Sequence, residues 1–244
     1  MNVSITLATA NRILTQLRHD KRTIGLMIVV PSLLMILLRY VFDDHLVFDR
    51  IGPMLLGIFP MIVMFVVTSV ATLRERSSGT LERLMTTPLG KLDLLLGYAL
   101  AFTVAALVQV AVVLTISLTW LNLDVSGPLW VLVLIALLDS LLGVALGLFC
   151  SAFARTEFQA VQFLPALVLP QFLLCGLLVP RDQMSDWLRW ISNVLPLTYA
   201  VNAMQELTEH TEITGTLVRD GLVVAGFGVA ALVFGAATLP RRTA

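Results

Sequence analysis

LRERSSGTLERLMTTPLGKLD, residues 73–93, gathers seven charged side chains between two of the most apolar runs in a chain that is 58% hydrophobic and 13% charged. The run before it, 51–73, carries no charge, and neither does the run from Leu94 to Leu123. A helix rises 1.5 Å per residue, so about 20 apolar residues cross a hydrocarbon core about 30 Å thick. The flanking runs therefore read as membrane spans and the quoted stretch as the connector between them.

Working outward, six segments qualify as spans: 24–42, 51–73, 94–118, 129–153, 158–179 and 221–239. Arg39 lies near enough to the end of the first to snorkel. Lys and Arg collect in cytoplasmic loops. With both termini inside, the inner segments hold eleven of these cations and the outer ones five. The fold class is an all-α membrane protein with a single domain over 1–244, and the expected location is a bacterial inner (plasma) membrane with both termini cytoplasmic. No secretory leader is expected, because the first apolar run follows about two dozen mostly polar residues.

Two stretches do not span. Residues 3–19 place Val3, Leu7, Ala10, Leu14 and Leu17 at helical spacing, which predicts an interfacial amphipathic helix ending in the basic run from Arg18 to Arg22. A cytosolic tail that only enforces orientation is the plainer alternative. The outer segment 180–207 predicts a re-entrant helical hairpin: Trp187 and Trp190 share a face with Ile191, Val194 and Leu195, Pro196 ends that helix, and a second follows around Tyr199. It reads equally as a lid over a cavity or as a plain interfacial belt.

Polar groups within the apolar runs are the candidate functional residues. Asp139 falls near the middle of the fourth span, where a carboxylate must be neutral, partnered or wetted. It reads as a proton relay or cation contact, or as a helix-joining group. The fifth span carries Pro165 and Pro170 together with Gln159, Gln162 and Gln171, and the second presents Met61, Met64, Phe65 and Thr68. Both are candidate pathway linings, with ordinary packing as the alternative.

The absences are informative too. A phosphate-cradling loop would need GxxxxGK followed by Ser or Thr. The one Gly-Lys pair, Gly90-Lys91, is followed by Leu92, and Met85 stands where the first glycine would be. The three histidines are scattered, no metal site is expected, and Cys150 and Cys175 read as small hydrophobes. Zero net charge gives no reason to expect a nucleic-acid partner.

Within the connector, Leu81, Leu84 and Met85 fall on one face at i, i+3 and i+4. Gly79 and Thr80 stand at the start and Pro88 at the stop, which predicts a helix of about two turns over 79–87. A helix so short must be held by lipid or by a docked protein.

These residues carry a resemblance. ERSSGTLERLMTTPL resembles the cytoplasmic loop of ABC-2 type permeases of ATP-binding-cassette transporters, matching at Glu75, Arg76, Gly79, Thr80, Leu81, Glu82, Leu84, Thr87 and Pro88. SAFARTEFQA and WLRWISNVLPLTYAVNAM resemble that family's later landmarks, closing on Pro196, Leu197, Thr198 and Tyr199. Gln205-Glu206 departs from it, since many relatives carry a basic residue there.

The resemblance implies an elbow helix at 3–19 and a coupling helix at 79–87, seated on a separate ABC ATPase through Glu75, Arg76, Gly79–Leu84 (Arg83 included) and Pro88. It also implies a homodimer of permeases among membrane lipids. ATP and Mg would be bound by the ATPase and no cofactor by this chain. The implied activity is export of an amphipathic or hydrophobic compound, drug-like or lipid, by alternating access. An ion-coupled secondary transporter or channel using Asp139 is the alternative, and a membrane scaffold or sensor a third.

Overall fold

Uncharged runs too long for a globular core form helices that satisfy their own backbone, and packing of small residues then decides how they meet. The computed structural model describes residues 3–42, 44–78 and 90–238. Among them are nine α-helices and no strand: α1 (Val3–His19), α2 (Lys21–Val41), α3 (His45–Ser77), α4 (Lys91–Thr119), α5 (Leu129–Ser151), α6 (Glu157–Leu174), α7 (Asp186–Ser192), α8 (Pro196–Glu209) and α9 (Gly215–Thr238). A 3-10 turn, Arg181–Gln183, precedes α7. Six helices, α2 to α6 and α9, are long and apolar enough to cross a membrane. The expected coupling helix, 79–87, lies outside the described residues.

The pair α3 and α5 forms the centre. Their most apolar stretches are each 67% buried, against 17% for α6, which is therefore peripheral. The reason is the small-residue stripe of α5. A Cβ on Gly143 would sit 2.3 Å from the Met61 carbonyl oxygen and one on Gly147 2.6 Å from that of Phe65. Only glycine lets the two backbones come so close. Leu56, Ile58, Leu132 and Leu142 fill the remaining space.

Several elements differ in extent from the sequence expectation. Helix α3 begins six residues before Ile51, because the Asp44 carboxylate accepts the Leu46 amide at 2.9 Å and caps it. With 33 residues it is about 50 Å long, well beyond the hydrocarbon thickness. Helix α6 stops at Leu174 rather than Val179, where Gly176 turns left-handed at φ 97°. Helix α9 begins at Gly215 rather than Gly221, because the Thr214 hydroxyl caps the Leu217 amide at 3.1 Å.

The buried face of α1 also differs. Thr9, Ala10 and Ile13 are its buried residues, while Val3 and Leu7 are 63% and 53% exposed. This helix packs on α4, where a Cβ on Gly97 would meet the Thr9 side chain at 2.7 Å. Close approach to another helix thus chose the face that apolar periodicity had assigned one residue away.

Beyond α6, α8 buries Leu197, Ala200, Met204 and Leu207 against α3 and α9. Helix α7 leaves Trp187 and Trp190 65% and 71% exposed. A polar tie fixes the segment after α6 to that helix: the Ser192 hydroxyl donates to the Leu174 carbonyl at 2.8 Å, while within the segment the Tyr199 hydroxyl donates to the Asn193 carbonyl at 2.6 Å.

Candidate functional site

Where α3 runs out toward the connector, three consecutive side chains reach five other helical elements. Glu75 is held by a bidentate guanidinium: Arg12 of α1 donates from Nη1 and Nη2 to its two oxygens, each at 2.9 Å. Tyr98 of α4 donates its hydroxyl to the same carboxylate. With its amide turned to donate, Gln16 adds a contact of 2.7 Å. The Glu75 side chain is only 12% exposed, so these donors replace most of its water. Bonds of this charge-assisted, two-pronged kind are worth roughly 1.5–3 kcal/mol each.

The flanking arginines extend the junction. Arg74 donates to both oxygens of Glu157, at the start of α6, at 2.7 and 3.0 Å. Its Nη1 lies 3.8 Å from Asp20, the residue that caps α2. Arg76 donates to the Ser151 carbonyl at the end of α5, where a cation also suits the helix dipole. Successive helical residues are about 100° apart, so the three project to different sides of α3. The connector follows directly.

Asp20 is itself well organised. Its carboxylate accepts the Thr23 hydroxyl at 2.6 Å and the Thr23 amide at 3.1 Å, which holds its pKa below the usual carboxylate value. It stands at the mouth of a cleft of about 680 Å³ between α1, α2, α3 and α4. Leu26, Val30, Ile62, Val63, Val66 and Val70 form the apolar wall, and Gln16, Asp20, Thr23, Arg74, Glu75 and Ser78 the polar end.

A second feature lies deeper. Asp139 on α5 is 1% exposed, and neither carboxylate oxygen has a hydrogen-bond partner among the described residues. A Cβ on Gly57 of α3 would stand 3.3 Å from its Oδ2 and 3.2 Å from the Met204 methyl of α8, so the acid sits where α3, α5 and α8 converge. An uncompensated carboxylate here would be strongly unfavourable.

The pathway candidates separate. Met61, Met64, Phe65 and Thr68 are fully buried on α3, with Met61 and Phe65 against the glycines of α5. Gln162 is exposed, and the Gln159 side-chain Oε1 accepts the Arg155 amide at 2.9 Å. Gln171 bridges elements, donating to the Leu167 carbonyl at 2.9 Å and accepting the Leu197 amide at 3.4 Å, which ties the start of α8 to α6. Pro196 is buried at that start. Of the connector candidates, Glu75 and Arg76 are in the junction, while Gly79, Thr80, Leu81, Glu82, Arg83, Leu84 and Pro88 lie outside the described residues.

Sequence reasoning missed Arg12, Asp20, Arg74, Tyr98 and Glu157 as parts of one junction. A usable signal existed in Thr156-Glu157-Phe158-Gln159, a helix-start pattern in which Thr156 caps the Gln159 amide at 3.2 Å. It places Glu157 at the start of the fifth span, the end that meets Arg74.

The ABC-2 type transporter family profile matches residues 4–208. ABC transporter G family member 20 of Dictyostelium discoideum is 28% identical over 159 residues, covering 65% of this chain and 22% of that protein. Two proteins of Escherichia coli K12 are also similar. The probable multidrug ABC transporter permease YbhR is 26% identical over 155 residues, covering 64% of this chain and 42% of its own. YbhS, described in the same words, is 28% identical over 171 residues, covering 69% and 45%. The chain thus spans less than half the length of each of these relatives. A profile match over most of the chain, on a six-span helical fold with its charged junction ahead of the connector, makes this multi-pass membrane protein a member of the ABC-2 type transporter family.

Proposed function

We propose that the chain is the permease of an ATP-driven exporter, moving an amphipathic or hydrophobic compound, drug-like or lipid, by alternating access. Hydrolysis takes place on a separate ABC ATPase that binds ATP and Mg, and this chain binds no cofactor. The observation that carries the reading is the junction of Arg74, Glu75 and Arg76. A connector pushed by an ATPase pulls first on residues bonded to α1, α2, α4, α5 and α6. Displacement at one point is then shared by the bundle, as a two-state transporter requires. The multidrug names of the two E. coli relatives support the export of drug-like compounds.

In this reading 79–87 is the coupling helix, α1 the elbow helix, and α7 with α8 the outer re-entrant hairpin. Both termini are cytoplasmic in a bacterial inner membrane, in line with the eleven-to-five cation count. A second copy of the chain covers α6. Its exposed side combines Gln162 and two prolines with Leu169 and Leu173, a mixture better suited to protein or a water-lined path than to lipid.

The test is co-expression with a cognate ABC ATPase, followed by reconstitution. Glu82→Lys or Leu84→Asp is expected to abolish ATP-dependent export and co-purification of the ATPase. Unchanged export and co-purification would sink the reading. The orphaned carboxyl of Asp139 favours one second reading, an ion-coupled transporter. Flux that persists without any ATPase and disappears in Asp139→Asn would establish it instead.

A further inference from the structure

We propose that the cleft between α1, α2, α3 and α4 is a binding site for a single-tailed cationic amphiphile, its tail along α3 from Ile62 to Val70 and its head beside Asp20. The inference deepens the exporter reading by naming a substrate class, and it takes the inner-leaflet position of the cleft from that reading.

The dimensions fit such a ligand. A volume of 680 Å³ lies within the range of small-molecule sites, about 300–1,000 Å³. Ile62 and Val70 are eight residues apart on one helix, an apolar run of about 12 Å. Ile62, Val63, Val66 and Val70 are half-buried rather than sealed, so they offer surface that a tail would cover.

The sign of the head group follows from how the charges at the mouth are already used. Glu75 is saturated by Arg12 and Tyr98, and Arg74 is held bidentately by Glu157. That leaves Asp20, whose cationic neighbour is no closer than 3.8 Å and whose other partners are the neutral donors of Thr23. Of the charged side chains that line the cleft, Asp20, Arg74 and Glu75, the carboxylates outnumber the cation two to one, and Asp20 is the carboxylate without a bidentate partner. Lys21 and Arg22 are exposed and outside the lining. A phosphate head would bring like charge against Asp20, whereas a quaternary ammonium supplies the missing positive charge without needing a hydrogen-bond acceptor.

The experiment uses the full chain reconstituted in phosphatidylcholine vesicles and a dodecyltrimethylammonium probe with a diazirine at its tail end. Dodecyl sulfate bearing the same tail is the control. Labelled residues are mapped by peptide mass spectrometry. The cationic probe is expected to label α2 and α3 along the cleft wall, and the sulfate is not. Asp20→Asn keeps a good helix cap while removing the charge, and is expected to weaken labelling about tenfold, a difference of about 1.4 kcal/mol. Asp20→Glu retains labelling, and Val66→Trp, which fills the cleft, removes it.

Equal labelling by both head groups, or labelling indifferent to Asp20→Asn, overturns the proposal and leaves a groove for any lipid tail. A disulfide between two Val66→Cys chains that displaces the probe overturns it in favour of a second copy. The Leu84→Asp variant separates the two levels: it is expected to stop export while labelling persists. Labelling absent while export continues defeats the cleft alone.

Discussion

Gly143 of α5 and Met61 of α3 meet backbone to backbone, with room for a hydrogen and not for a methyl: a Cβ there would lie 2.3 Å from the Met61 carbonyl oxygen. Backbone cannot yield as a flexible side chain does, so α3 and α5 must separate to admit one. Gly143→Ala is expected to destabilise by about 1–3 kcal/mol, the usual range for overpacking. Thermal unfolding in detergent, read as a lower Tm, checks this. Gly226→Ala on α9, where a Cβ meets nothing within 4 Å, is the control and leaves Tm unchanged or slightly raised, since alanine is the better helix former.

The Arg12–Glu75 pair supports a second prediction. Glu75→Gln keeps the shape but removes the charge that Arg12 and Tyr98 share, leaving a half-buried guanidinium undercompensated. A loss of about 2 kcal/mol is expected from either Glu75→Gln or Arg12→Gln, and the double variant loses clearly less than the sum. A double-mutant cycle on unfolding free energies measures that coupling. In the exporter reading, both single variants also reduce permease-stimulated ATP hydrolysis.

Asp20 sets a pH dependence. Its folded pKa is lowered by the Thr23 hydroxyl and amide. A carboxylate with a depressed folded pKa stabilises the fold above its unfolded pKa, near 4, and loses that contribution as pH falls through the lower folded value. Stability should therefore decline below about pH 4 with a component that Asp20→Asn abolishes. Denaturation of the two proteins side by side from pH 6 to pH 3 reads it out.

Asp139 separates the two functional readings. Replacing an unpartnered buried acid with an apolar group of similar size removes a desolvation penalty of about 1–3 kcal/mol, so Asp139→Leu is expected to raise Tm. Under the permease reading ATP-driven export survives. Under the ion-coupled reading flux is lost.

The exposed face of α6 predicts a covalent dimer. Cys150 and Cys175 are buried and free, so both can be replaced by Ser before a single probe is introduced. Leu169→Cys in that background should form a disulfide-linked pair on mild oxidation. Leu222→Cys, on the exposed side of α9, should remain monomeric on denaturing gels.

The six long helices were legible because each is a predominantly apolar run, and a hydropathy average outweighs the isolated polar residues within it. Their ends were less so. Leu174 and Gly215 became boundaries through a left-handed Gly176 and a capping Thr214, single-residue events that a window average dilutes. The packing of α3 on α5 was missed although Gly143 and Gly147 stand four apart, because two glycines among so many leucines leave the hydropathy unchanged. Glu75 and Arg76 were recognised as motif residues. Their partners were not, since Arg12, Tyr98, Ser151 and Glu157 are between 23 and 83 positions away from the residues they meet.

The grip of three successive residues on the connector end of α3 also has a mechanical meaning. A rod held on several sides at one end can neither spin nor slide without breaking every attachment together, so force applied there travels upward as flexure. The first place able to give is Pro60, which withholds an amide from the helix ladder seventeen residues above Ser77, about 25 Å away. Helix α3 is thus built as a cantilever, clamped where the load enters and compliant at the depth of Asp139 and Gly57.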